Sequence, residues 1–174
     1  VILAGISSIG KVTGVLVLVM GVGYLLACVT ILGANLERLP EVVRTIVEGA
    51  FDAPAAKGGF VGVMVMGLRR AAFSNEAGVG TAAIAHSTAR TREPVAEGLV
   101  ALHEPFIDTV VICTLTALVL IFTGFHEPPA GLQGAATTAT AFGSVYAWFP
   151  YVLTVAILLF SFSTLISFAY YGGV

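Results

Sequence analysis

Charge is what this chain has least of. Lys and Arg number 8 and Asp and Glu 10 among 174 residues, so 10% of the chain is charged, against about a quarter in a soluble domain. Together with a 57% hydrophobic content, that scarcity excludes an ordinary water-facing surface and points to a lipid bilayer. The net charge of -2 removes nucleic acid from consideration, because neutralising phosphate takes clustered Lys and Arg. Cysteine is nearly absent too. Cys28 and Cys113 both lie inside apolar runs, which excludes a disulfide framework or a thiolate metal pair and leaves two small buried hydrophobes. No Met opens the chain, no charged leader with a cleavage site follows, and "SFAYYGGV" ends it just after an apolar run. The expectation is part of a longer membrane protein.

What is present is hydrocarbon, arranged in four units. Residues 1–33 contain "VTGVLVLVMGVGYLLACVTILG", uncharged over about 20 residues, the length a helix needs to cross a bilayer. Residues 34–57 mix charges with Val42, Val43, Ile46, Val47 and Phe51 at a spacing that gives one apolar face, so an amphipathic surface helix and loop are expected, with Pro40 near the start. Residues 58–92 are odd: "GGFVGVMVMGL" is about half a span, and a polar, glycine-rich stretch separates it from the weakly apolar "AAIAHSTA". Residues 93–124 hold a full span with Glu104, Pro105 and Asp108 crowded into its beginning. A Pro-rich loop and a short helix fill 125–146. Residues 147–174 form a last span, with Trp148, Tyr151, Tyr170 and Tyr171 near its ends as an aromatic belt places them, and with hydroxyls at Ser161, Ser163, Thr164 and Ser167. The fold class is an all-α, polytopic transmembrane helix bundle. Arg90 and Arg92 favour the cytoplasmic side for the loop before the third unit, while Arg38, Arg44 and Lys57 after the first span, mixed with acids, favour the opposite orientation.

The polar stretch inside the second unit reads as the interruption of a broken transmembrane helix. Non-helical backbone at membrane depth is tolerated only where protein or a water-filled cavity satisfies it. Gly78 and Gly80 permit the dihedrals, and Ser74, Asn75 and Thr81 offer replacement hydrogen bonds. Such a break leaves free N–H groups at one half-helix end and free carbonyls at the other, the complement of an amino-acid zwitterion.

"FSNEAG" with "EPFIDTVVICTLTALV", followed at a distance by "FSFSTLISFAYYG", closely resembles the alanine or glycine:cation symporter family. The resemblance covers roughly residues 58–172 and implies a fragment of a leucine-transporter-like inverted-repeat fold. The four spans would be core helices five to eight, the broken one the sixth. The implied activity is sodium-coupled uptake of a small neutral amino acid by alternating access, not enzymatic catalysis. The implied partners are that amino acid, sodium as the co-transported ion, the lipid of the cell membrane, and the remainder of the same transporter chain. No other cofactor is implied.

Residue by residue, the resemblance implies that Phe73 packs against substrate beside the backbone of Ala77 and Gly78; ordinary helix packing is the alternative. It implies that Ser163, Thr164 and Ser167 bind sodium, a hard cation that prefers oxygen; bonding back to their own helical turn is the alternative. Glu76 has a structural role, paired with Arg69 or Arg70 or capping freed N–H groups, with direct ion binding as the other reading. Glu104 and Asp108, at i and i+4, would repel each other as ionised neighbours. A charge-paired cluster with His103, Arg90 and Arg92 relieves this; a proton relay and a metal site from His103, Glu104 and Asp108 are weaker readings. His86 and His126 are expected to be hydrogen-bonded surface or loop residues.

Three rivals follow from the same residues. "GVGTAA" from Gly78, with Glu97 downstream, imitates a dinucleotide-binding turn but lacks the strand before it. Ser74, His86 and Asp108 supply the residue types of an intramembrane hydrolase. A divergent or partial copy acting as a noncatalytic membrane scaffold is the third.

Overall fold

A computed structural model of the chain describes residues 6–51, 53–74, 76 and 79–172. Among them there is no strand. The elements are α1 (Ile6–Ala34), a 3-10 turn (Leu36–Arg38), α2 (Leu39–Phe51), α3 (Ala53–Ser74), α4 (Thr81–His86), α5 (Pro94–Pro105), a π-helical segment (Phe106–Cys113), α6 (Thr114–Phe122), α7 (Ala135–Val145) and α8 (Phe149–Tyr171). An apolar chain in lipid has no water to satisfy its backbone, and a helix satisfies every peptide group within itself.

Three helical runs are long and apolar enough to cross a membrane: Gly14–Ala34, Pro94–Phe122 and Phe149–Ala169. At 21 residues, the first and last each reach roughly 30 Å at the α-helical rise. α3 is of similar length but carries Arg69 and Arg70. It starts at Ala53, upstream of the apolar run at 58, because a Pro in the first turn is compatible with helix and Lys57 does not interrupt one. α2 is amphipathic: Val42 is buried, while Arg44 donates to Glu48 at 2.6 Å across one exposed turn.

The chain divides into two compact units, Val1–Leu36 with Leu115–Val174, and Glu37–Thr114. In the first, α8 packs against α1 and α7. Cys28, Ile31, Val119, Phe142 and Phe149 form its buried core. The Phe142 and Phe149 rings stack at 4.4 Å, and Tyr24 shares a 2.6 Å hydrogen bond with Thr116 beside them. α7 and α8 approach so closely that a Cβ on Gly143 would lie 2.7 Å from the Pro150 ring.

In the second unit α2 packs against α3, and α5 continues directly into the π segment. The π segment departs from the uniform α-helix expected over this span. It follows Pro105, which has no N–H to donate and whose ring presses on the carbonyl one turn back, so the ladder widens at the next residue. Cys113, expected to be buried, is exposed. An apolar stretch in a membrane can face lipid or a cleft as readily as protein.

Candidate functional site

α3 ends at Ser74 and helix resumes at Thr81. Between them Glu76 adopts φ 51° and Gly80 φ 92°. Gly80 takes the left-handed region freely, whereas a residue with a Cβ is held there at a cost of about 1–2 kcal/mol. The compensation for Glu76 is local: its carboxylate accepts a hydrogen bond from the Thr81 hydroxyl, and its carbonyl accepts the Val79 N–H at 3.2 Å. The glutamate therefore bridges the interruption to the first residue of α4. This corrects the expected pairing with Arg69 or Arg70, neither of which forms an ion pair among the described residues. Ala77 and Gly78, expected beside substrate, lie outside the described residues.

The end of α3 is tied to the π segment by a second polar contact, Ser74 Oγ donating to Asp108 Oδ2 at 2.5 Å. A cleft of about 790 Å³ opens there, lined among others by Met66, Arg69, Arg70, Phe73, Ser74 and Asp108. Phe73 is 78% exposed, so its ring is a wall of this cleft and not a core residue of the second unit.

Glu104 and Asp108 do not share one charge cluster. Glu104 faces His86 Nε2 at 3.7 Å, while Asp108 faces Ser74. His103 turns its Nδ1 to the Leu99 carbonyl at 2.8 Å, and neither Arg90 nor Arg92 forms an ion pair among the described residues. The π segment begins between the two carboxylates, so the i,i+4 adjacency of an α-helix does not apply, and each takes its own partner. Among the described residues no three His, Cys, Asp or Glu side chains converge as a metal site. His86, expected on a surface or loop, is instead the half-buried last residue of α4, with Nδ1 2.7 Å from Glu97 Oε1. A hydrolase relay is not assembled: Ser74 and Asp108 bond directly to each other, and His86 is engaged by two glutamates.

The hydroxyls of α8 belong to the first unit. Thr164 donates to the Phe160 carbonyl at 3.0 Å and Ser167 to the Ser163 carbonyl at 3.1 Å, the back-bonding common in membrane helices. Ser163 differs. It is 6% exposed, and its hydroxyl has no hydrogen-bond partner among the described residues.

Sequence reasoning located the residues of the interruption but missed three of the ties: Ser74 with Asp108, Glu76 with Thr81, and His86 with Glu97. One signal was available for the last, since Glu97 and Glu104 repeat at i and i+7 and so share a face of α5.

A family model of the sodium:alanine symporter family matches residues 1–174. The sodium/alanine symporter AgcS of Methanococcus maripaludis is 40% identical over 175 residues, covering 99% of this chain and 39% of that protein. An uncharacterized transporter of Haemophilus influenzae is 39% identical over 182 residues, with 99% and 39% covered. The probable sodium/glutamine symporter GlnT of Bacillus subtilis is 40% identical over 174 residues, with 99% and 36% covered. The chain thus spans about two-fifths of the length of the curated relatives it matches. These relatives bear the names of transporters and not of enzymes, and three apolar helices long enough to span lipid fit a multi-pass membrane protein. On a match that runs from its first residue to its last, at these identities, the chain belongs to the sodium:alanine symporter family.

Proposed function

We propose that this chain forms part of a secondary active transporter that couples sodium influx to uptake of a small neutral amino acid, alanine or glycine, across the cell membrane. The observation that carries the reading is the helical interruption between Ser74 and Thr81 in a chain of this family. A broken helix presents N–H groups from one half and carbonyls from the other, which suits a carboxylate and a cation. In this reading the fold is leucine-transporter-like. α1, the α3–α4 pair, the α5–α6 run and α8 are its fifth to eighth core helices, and the remainder of the transporter chain completes the site.

Phe73 then limits substrate size, with the backbone of Ala77 and Gly78 close by. Ser163, Thr164 and Ser167 supply oxygen to sodium. The hydroxyls of Thr164 and Ser167 spend their protons on their own turns and keep lone pairs to offer, and Ser163 holds an oxygen in a buried setting. Alternating access moves the bound pair across, and each charge carried inward down the potential contributes about 2.3 kcal/mol per 100 mV.

Radiolabelled alanine uptake by the intact transporter, with and without a sodium gradient, tests the reading. Glutamine belongs among the competitors, since one relative is named for it. Sodium-dependent alanine uptake is expected; uptake indifferent to sodium overturns the coupling. Phe73→Ala should relax discrimination against larger side chains by about tenfold or more, the worth of a methylene or two in an apolar pocket. Ser163→Ala combined with Thr164→Ala should raise the sodium needed for half-maximal uptake. Unchanged kinetics in both would remove these assignments.

A further inference from the structure

His86 closes α4 with both ring nitrogens facing carboxylates, Nδ1 2.7 Å from Glu97 and Nε2 3.7 Å from Glu104. The two glutamates stand two turns apart on one face of α5, so a single ring spans that face. Hydrogen counting separates its two charge states. A neutral imidazole has one N–H, which at Nδ1 donates to Glu97. The imidazolium adds a positive charge that strengthens this contact and pairs with Glu104 across 3.7 Å, an ion-pair distance beyond hydrogen-bond reach. We propose that His86, held between Glu97 and Glu104, is a proton-binding site that fastens α4 to α5 most tightly when the ring is doubly protonated and loosens that hold when the proton leaves. The proton comes from and returns to bulk water, and its binding takes the three groups from a net charge of -2 to -1.

The surroundings fit a proton site. The His86 and Glu97 side chains are 29% and 24% exposed, enough withdrawal for the pair to feel each other, while Glu104 at 59% is the wet side from which a proton arrives. Among the described residues these two carboxylates, both from α5, are the charged groups paired with the ring. Arg90, Arg92 and Glu93, in the connection between α4 and α5, form no ion pair with the ring or with either glutamate among the described residues. α4 is the half-helix that follows the interruption. Its attachment to α5 therefore sets how firmly the downstream side of the interruption is held. A proton bound at His86 acts on that attachment without touching sodium or amino acid.

The test uses the intact transporter in lipid nanodiscs, without substrate or sodium gradient, so its outcome is independent of whether the protein carries alanine. Amide exchange across residues 81–93 is followed from about pH 5 to pH 8, the range in which imidazole changes charge, and corrected for the intrinsic pH dependence of exchange. Protection should rise about fivefold as pH falls, the worth of one partly exposed ion pair. His86→Gln should abolish the rise and hold protection at the high-pH level. Glu97→Gln should shrink it more than Glu104→Gln, following 2.7 Å against 3.7 Å. A flat wild-type profile, or an unaltered slope in His86→Gln, overturns the proposal. If His86→Gln does not fold, the wild-type profile and Glu104→Gln decide the matter.

Discussion

The two units of this chain are held together by different forces. In the first, side chains from α1, α6, α7 and α8 bury one another: Cys28, Ile31, Val119, Phe142 and Phe149 form a closed cluster with stacked aromatic rings. Its hydroxyls mostly bond back to their own turns, as Thr30, Thr123, Thr140, Thr154 and Thr164 do. In the second, Val42 is the one buried hydrophobic side chain among the described residues. Beside the packing of α2 on α3, polar ties join its segments: Ser74 to Asp108, Thr81 to Glu76, His86 to Glu97. Packed apolar surfaces resist rearrangement because every displaced atom leaves a void. Hydrogen bonds exchange partners, with water or with a substrate, at little net cost. The unit that contains the helical interruption is the one assembled with the exchangeable kind of contact.

The sharpest way to break this contrast is to attack the packed unit. Phe142 is fully buried and contacts both Tyr24 and Phe149. Phe142→Ala should cost about 3–5 kcal/mol, the range for opening a cavity where a core phenylalanine stood. Thermal unfolding of the purified transporter in detergent measures it. A loss below about 1 kcal/mol would mean that the cluster collapses around the gap, as loosely packed sites do, and the first unit would then be no more rigid than the second.

A smaller effect is expected at the interruption. Thr81→Ala removes the donor to the partly buried Glu76 carboxylate and leaves that residue in its left-handed conformation unsupported. The cost should be about 1.5–2 kcal/mol, typical of a hydrogen bond to a charged group. Thr81→Ser keeps the hydroxyl and should restore most of it in the same unfolding assay. If Ser and Ala behave alike, the hydroxyl is not what holds Glu76.

Much of this was legible in the sequence because the bilayer imposes a simple rule on length. A helix must run about 20 apolar residues to cross, and the runs near 14–34, 94–122 and 149–169 satisfy it without reference to anything else. The interruption was legible for the converse reason, since glycines and polar groups stand where that rule forbids them. Partners were not legible. Asp108 finds Ser74 across 34 positions of sequence, and Glu76 bonds to Thr81 while neither Arg69 nor Arg70 forms an ion pair among the described residues. The π segment was hidden as well, since Pro105 marks a disturbance but not whether the helix kinks, breaks or widens. Burial itself was half legible: Cys28 and Cys113 sit in equally apolar runs, yet one is in the core and the other exposed.

The smallest effect sharpens the comparison most, because it asks whether a tie in the second unit couples the residues it joins. Ser74 and Asp108 meet where the exposed end of α3 reaches the π segment. Ser74 is exposed and Asp108 partly so, and single substitutions to Ala therefore mix the loss of the bond with changes in solvation. A double-mutant cycle separates them: the coupling between Ser74→Ala and Asp108→Ala should be about 1 kcal/mol, at the low end for a charged acceptor because water competes at this site. Arg69 and Arg70 line the same cleft, so raising salt should change the Asp108→Ala value through long-range charge while leaving the coupling energy nearly constant. A coupling that vanishes, measured in the same detergent as Phe142→Ala, would show the α3 end free of the π segment, and the second unit would then lose one of its polar ties.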